Sequence, residues 1–135
     1  MSTNGAAWVG IDLGTQSVRA LAVSHAGEVL GAGTSALSSH RDGVRHEQDP
    51  ASWWTAARQA CRAALSGLSG MTVGGVSVDA TSGTVLLVDA VDGRPLTPGL
   101  MYDDTRATAF TDRVNEAGEQ VWEGLEVPGS VRSMG

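Results

Sequence analysis

The chain reads as an α/β domain that opens with an antiparallel three-strand meander and carries two main helices. Residues 8–13, 18–24 and 28–37 are short apolar runs divided by Gly-rich turns, which is a strand pattern. Residues 50–66 and 105–121 instead repeat apolar side chains every three or four positions, the period of a helix. Between them, residues 73–104 return to strand-like runs.

The first hairpin reads VGIDLGTQSVRALAV, two apolar strands around a polar turn. Asp12, Gly14, Thr15, Gln16, Ser17 and Arg19 bring backbone N–H groups, hydroxyls, a carboxylate and a guanidinium to one place, which suits metal-bound phosphate. Gly14 is expected to supply the positive φ of a tight turn. Asp12 would repel phosphate directly, so its useful role is through a bridging cation such as magnesium. An ordinary hairpin, with Asp12 and Thr15 bonded to their own turn, remains the alternative.

A turn at Ser24-His25-Ala26-Gly27 leads into the third strand. Gly31, Gly33 and Ala36 match a loose G-x-G-x-x-A pattern, but no amphipathic helix follows to face a pyrophosphate, so they read as a flexible strand end. Residues 38–48 are polar and expected to be a flexible loop. Asp49 is placed to cap a helix that Pro50 begins. Trp54, Ala57, Cys61, Ala64 and Leu68 would face the sheet, with Arg58 and Arg62 opposite, until Gly67 and Gly70 end the helix.

Residues 73–78 read as a buried strand and 84–88 as another, with Asp92-Gly93 as a hairpin turn before a strand over 96–102. The second helix presents Ala107, Phe110, Val114, Ala117 and Val121 on one face, opposed by Asp112, Arg113, Glu116 and Glu119, with Gly118 a weak point. The stretch from 127 onward has no periodicity.

Composition narrows the function classes. Fifteen acids face nine bases for a net charge of −6, and every base is Arg, scattered singly, which argues against nucleic-acid or anionic-membrane binding. Without Lys, a G-x-x-x-x-G-K-[ST] phosphate loop is excluded. Cys61 is the only cysteine and reads as a buried thiol, and no segment approaches the length of a membrane span, so a cytoplasmic protein is expected. His25, His40 and His46 lack ligand spacing and read as solvated loop histidines rather than a zinc site.

Two polar clusters follow strands, Asp79-Ala80-Thr81-Ser82-Gly83 and Tyr102-Asp103-Asp104. Carboxylates and hydroxyls suit a polyhydroxylated ligand, and a Tyr ring offers an apolar face to its C–H surface. The alternative is that Asp104 or Thr105 caps the second helix and that residues 79–83 are a turn.

The order GIDLGTQSVRA, HEQDPASWW, VSVDATSGTVLLVD, GLMYDDTRA resembles the N-terminal part of the FGGY family of carbohydrate kinases, over residues 8–107. The resemblance implies an actin-like, ribonuclease-H-like α/β domain, here incomplete. It implies that Asp12, Gly14, Thr15, Gln16, Ser17 and Arg19 hold ATP phosphates, with Mg2+ at Asp12. Thr81, Ser82, Tyr102, Asp103 and Asp104 would border the sugar, with Glu47 and Asp49 structural. At Thr81 and Ser82 the chain has neither the Arg-Glu that glycerol kinases look like there nor the Met-His of xylulose kinases, and the Asp-Ala-Thr-Ser-Gly-Thr stretch looks more like the ribulose-kinase-related branch, so the implied substrate is a ketopentose such as ribulose or xylulose.

Family members are several times longer, with an adenine-binding domain and an aspartate base in later sequence. The expectation is therefore an N-terminal fragment that carries no catalytic base, is inactive alone, and self-associates through unfinished surface. A non-catalytic nucleotide-binding or partner-binding module on the same hairpin is the competing expectation.

Overall fold

The computed structural model describes residues 5–125. The aperiodic stretch from 127 lies outside them. Strands β1 (Ala6–Leu13), β2 (Ser17–Val23) and β3 (Val29–Ala36) form the expected antiparallel meander. Strand β6 (Thr72–Ala80) joins β1 in parallel, giving the order β3-β2-β1-β6. A parallel neighbour needs a long crossover, and helix α1 (Pro50–Leu65) lies within it.

Side chains alternate across these strands. Val18, Ala20 and Ala22 point to one face and are buried, and α1 packs there through Ala56, Ala60 and Ala64. The buried stripe is thus rotated from the expected one. Ala64 is shared and Ala57 and Cys61 are partly buried, but Trp54 is 68% exposed. The reason is close approach: a Cβ on Gly31 or Gly33 would collide with the Ala64 and Ala60 carbonyls. Small residues on both elements bring backbones together, which large side chains would prevent. The two glycines are therefore a packing device within a regular strand and not a flexible end. Asp49 does cap α1, its Oδ1 accepting the Ala51 N–H at 2.9 Å.

Residues 38–48 are also more ordered than expected. Strands β4 (His40–Asp42) and β5 (Arg45–Gln48) form a hairpin, and β5 continues onto β7 (Gly99–Leu100). His46 and Gln48 are buried at 1% and 3% exposure, which corrects the solvated reading of His46.

The expected strands over 84–88 and 96–102 reduce to β7 and two isolated bridges, Val85 with Leu100 and Val88 with Pro95. Between the two bridges the ladder fails: the Leu87 N–H is taken by the Thr97 hydroxyl at 3.0 Å, and Pro98 has no N–H to donate. The turn between them holds, with Gly93 at φ 72°. Strand β6 is not buried: Val76 and Val78 are 60% and 64% exposed, because α1 packs chiefly over β3 and β2 and reaches only the near side of β1. A 3-10 turn (Arg106–Phe110) takes the place of the first turn of the expected helix, so Ala107 and Phe110 precede helix α2 (Thr111–Glu123), none of whose described residues is buried. Its apolar face meets no partner sheet among the described residues.

Candidate functional site

Asp12 lies on the sheet face opposite α1, because Val9, Ile11 and Leu13 pair with the α1-facing Ala22, Ala20 and Val18 while Asp12 alternates with them and pairs with Arg19. Arg19 is its cross-strand partner, and the guanidinium Nη1 stands 3.7 Å from Asp12 Oδ2. Both side chains are more than half exposed, so the pair contributes little to stability. On the other side, the parallel register sets Asp79 beside Asp12 and Ser77 beside Gly10. These residues line an open groove of about 480 Å³ together with Thr34. Two hard carboxylates on adjacent strands fit the one or two protein ligands that Mg2+ takes alongside phosphate oxygens. No cluster of three or more His, Cys, Asp or Glu occurs among the described residues, so a metal held by protein side chains alone does not fit.

The turn that follows is short. The Gly14 N–H donates to the Ser17 carbonyl at 3.1 Å, closing Thr15 and Gln16 between them. Gly14 is not among the positive-φ residues, contrary to expectation. Its need for glycine is spatial, since a Cβ would sit 3.2 Å from the Ser17 carbonyl oxygen. The Gln16 carbonyl accepts from the Leu37 N–H at 2.8 Å, and the Thr15 carbonyl accepts from Gln48 Nε2 at 2.6 Å.

Thr81 is tied to the same place. Its N–H and hydroxyl both donate to the Leu13 carbonyl, at 3.1 and 3.3 Å, so the end of β6 is fastened to the end of β1. Gly14, Gln48, Thr81, Thr84 and Met101 line a small cavity of about 100 Å³, where the buried Thr84 hydroxyl has no partner. Ser82 is exposed in the turn before Gly83, whose φ is 77°. The structure thus joins the glycine turn to Thr81.

Residues 101–106 fold onto the β4–β5 hairpin. The Met101 and Thr105 N–H groups donate to the His46 and Val44 carbonyls at 3.0 and 3.1 Å. Asp104 turns inward: its carboxylate accepts from the His46 N–H at 2.9 Å, the Arg106 N–H at 3.2 Å and the Arg106 guanidinium, Nη2 at 2.7 Å. Arg106 also reaches Glu47 Oε1 at 2.7 Å. Hydrogen bonds from Arg106 chiefly hold the Asp104 carboxyl far below the usual range, and Asp104 with Glu47 pushes Arg106 up. Asp103 points the other way, 26% exposed, with its carboxyl lowered by His46 first and Arg41 second. Tyr102 is 43% exposed. Neither the groove beside Asp12 nor the small cavity is lined by Ser82, Tyr102, Asp103 or Asp104.

His46, Gln48, Arg41 and Arg106 are the supports that sequence reading missed. One signal was present: His46 and Gln48 alternate with Arg45 and Glu47, the period of a half-buried strand. A further groove of about 590 Å³ lies between residues 38–40, 47–50 and 95–98.

Residues 7–123 match the FGGY family of carbohydrate kinases, N-terminal domain. An apulose kinase of Pectobacterium atrosepticum is 34% identical over 81% of this chain and 22% of its own length. A xylulose kinase of Streptomyces coelicolor is 33% identical over 93% of this chain and 25% of its own. The crystal structure of a xyloylose kinase from Brucella ovis superposes with a TM-score of 0.76 at 28% identity, over 84% of this chain and 24% of that one. The chain therefore spans about a quarter of the length of the relatives it matches. The fold is the actin-like ATPase fold of sugar kinases, here a partial α/β domain. The chain belongs to the FGGY family of carbohydrate kinases, aligned with its N-terminal domain.

Proposed function

We propose that these residues form the phosphate-holding and sugar-lining part of an ATP-dependent kinase acting on a ketopentose such as ribulose or xylulose. One observation carries the reading: Asp12, Arg19 and the Gly14–Ser17 turn stand together at one end of the sheet, with Thr81 hydrogen-bonded to the same strand end. The kinds of substrate in the names of the relatives, apulose and xylulose, support a ketose.

In this reading Asp12, with Asp79 beside it, would hold Mg2+, which when bound neutralises phosphate charge. The Thr15 and Gln16 N–H groups, the Thr15 and Ser17 hydroxyls and Arg19 donate to the phosphate oxygens. Thr81, Ser82, Tyr102 and Asp103 bind and orient the sugar. Asp104 supports them from beneath, since its carboxylate is committed to His46 and Arg106. Phosphoryl transfer depends on holding nucleophile and phosphate in line, so these residues act by positioning. The proton acceptor for the sugar hydroxyl is assigned to no residue described here.

Calorimetric titration of the 135-residue chain with MgATP and with ribulose or xylulose tests the reading. Asp12→Ala is expected to abolish magnesium-dependent nucleotide binding and leave sugar binding intact. Equal loss of both overturns the division of roles.

A further inference from the structure

The Gln48 side chain sits at the junction of three elements and uses each end of its amide. Nε2 donates to the Thr15 carbonyl at 2.6 Å and to the Ser39 hydroxyl at 2.8 Å, while Oε1 accepts from the Trp53 indole at 2.6 Å. The residue is only 3% exposed. A buried amide so engaged fixes what it holds, because its Oε1 has one partner, the Trp53 indole, and its Nε2 is drawn inward to the Thr15 carbonyl, while the Ser39 hydroxyl is exposed to water.

The consequence falls on the turn. In a trans peptide the carbonyl and the following N–H point in opposite directions, and no cis bond occurs among the described residues. Drawing the Thr15 carbonyl toward Gln48 therefore aims the Gln16 N–H away from the protein body. Gln16 cannot swing freely, since its own carbonyl is held by Leu37. If the Thr15–Gln16 peptide rotated, a carbonyl would replace an N–H on the outward side, and a phosphate oxygen would meet repulsion instead of a donor.

We propose that Gln48 is a positioning residue for anion binding at the turn: through the Thr15 carbonyl it sets the peptide whose N–H receives a nucleotide phosphate. This rests on the nucleotide reading above and adds a residue that touches no ligand itself.

Gln48→Glu is the direct test. It keeps the oxygen that Trp53 needs and replaces the donor facing Thr15 with a second oxygen. MgADP affinity of the full chain, measured by calorimetry, is expected to fall at least about tenfold, and the Gln16 amide resonance is expected to move in the free protein. Gln48→Met, apolar and of similar length, should show the same loss if the buried carboxylate of the first variant prevents folding. Ser39→Ala and Trp53→Phe cut the other two bonds and should leave affinity within about twofold. Retained affinity in a folded Gln48→Glu or Gln48→Met, or equal losses in Ser39→Ala and Trp53→Phe, overturns the inference and leaves Gln48 a structural hub. If the unaltered chain shows no MgADP binding at the turn, the nucleotide reading fails first and the inference with it.

Discussion

The His46 ring, 2% exposed, sets Nδ1 against Oδ1 of Asp103, while Arg41 Nη2 meets the other carboxylate oxygen at 2.6 Å. Asp103 is thus gripped from both sides by one hairpin and still presents 26% of its side chain outward. His46 Nε2 is buried with no partner, an expense the fold tolerates while the other ring nitrogen holds Asp103.

Replacing His46 separates packing from positioning. His46→Leu removes the donor to Asp103, and we expect a loss of about 1–3 kcal/mol in urea unfolding. His46→Asn keeps an amide N–H near the place of Nδ1 and should recover part of that loss. Equal destabilisation by the two variants would mean that only ring volume matters.

Acid should loosen the same region. Asp103 and Asp104 both titrate below the ordinary value of 3.8, so their stabilising contribution is complete above that value and is lost as pH falls through their lowered ones. The urea midpoint is expected to be flat between about pH 7 and 5 and to drop below about pH 4. Asp104→Asn should flatten the drop at the cost of a lower midpoint at neutral pH. An unchanged acid limb in that variant would remove Asp104 from the account.

Close approach of α1 to β3 gives a sharper mutational signature. Gly33→Val would drive a side chain into the Ala60 carbonyl and Ala63, and overpacking of this kind costs about 1–3 kcal/mol. Thermal unfolding should show it as a clear fall in Tm, while Gly10→Ala, where a Cβ meets nothing, should have a far smaller effect. Comparable falls would refute the packing role of Gly33.

The uncovered valines of β6 make association measurable. Val76 and Val78 are more than half exposed on an edge strand, a surface that pairs readily with other chains. Sedimentation of the chain is expected to show concentration-dependent association that Val76→Lys weakens. A strictly monomeric chain at all concentrations would contradict this.

Much of the fold was legible because local pattern and packing agree in the meander, in the Asp49-Pro50 helix start and in the Asp92-Gly93 turn. The buried stripe of α1 was misread because helix approach here is set by Gly31 and Gly33 on another strand, which helical periodicity cannot register. His46 and Gln48 were hidden for a related reason: polar residues before a helix resemble a loop until distant partners, Asp103 and Thr15, are brought to them. At the candidate site, Asp12, Arg19 and the turn were readable because they lie within one hairpin. The inward turn of Asp104 was not, since it depends on a hairpin nearly sixty residues earlier.

Backbone amide resonances of the 15N-labelled chain, followed through a titration with MgATP, address the phosphate turn most directly. Gly14, Thr15, Gln16 and Ser17 should shift together and saturably, Asp12 and Asp79 should follow only when magnesium is present, and the shifts at the turn should vanish in Asp12→Ala. Shifts confined to the groove formed by residues 38–40, 47–50 and 95–98, or none at all, would contradict the assignment of this hairpin to nucleotide phosphate.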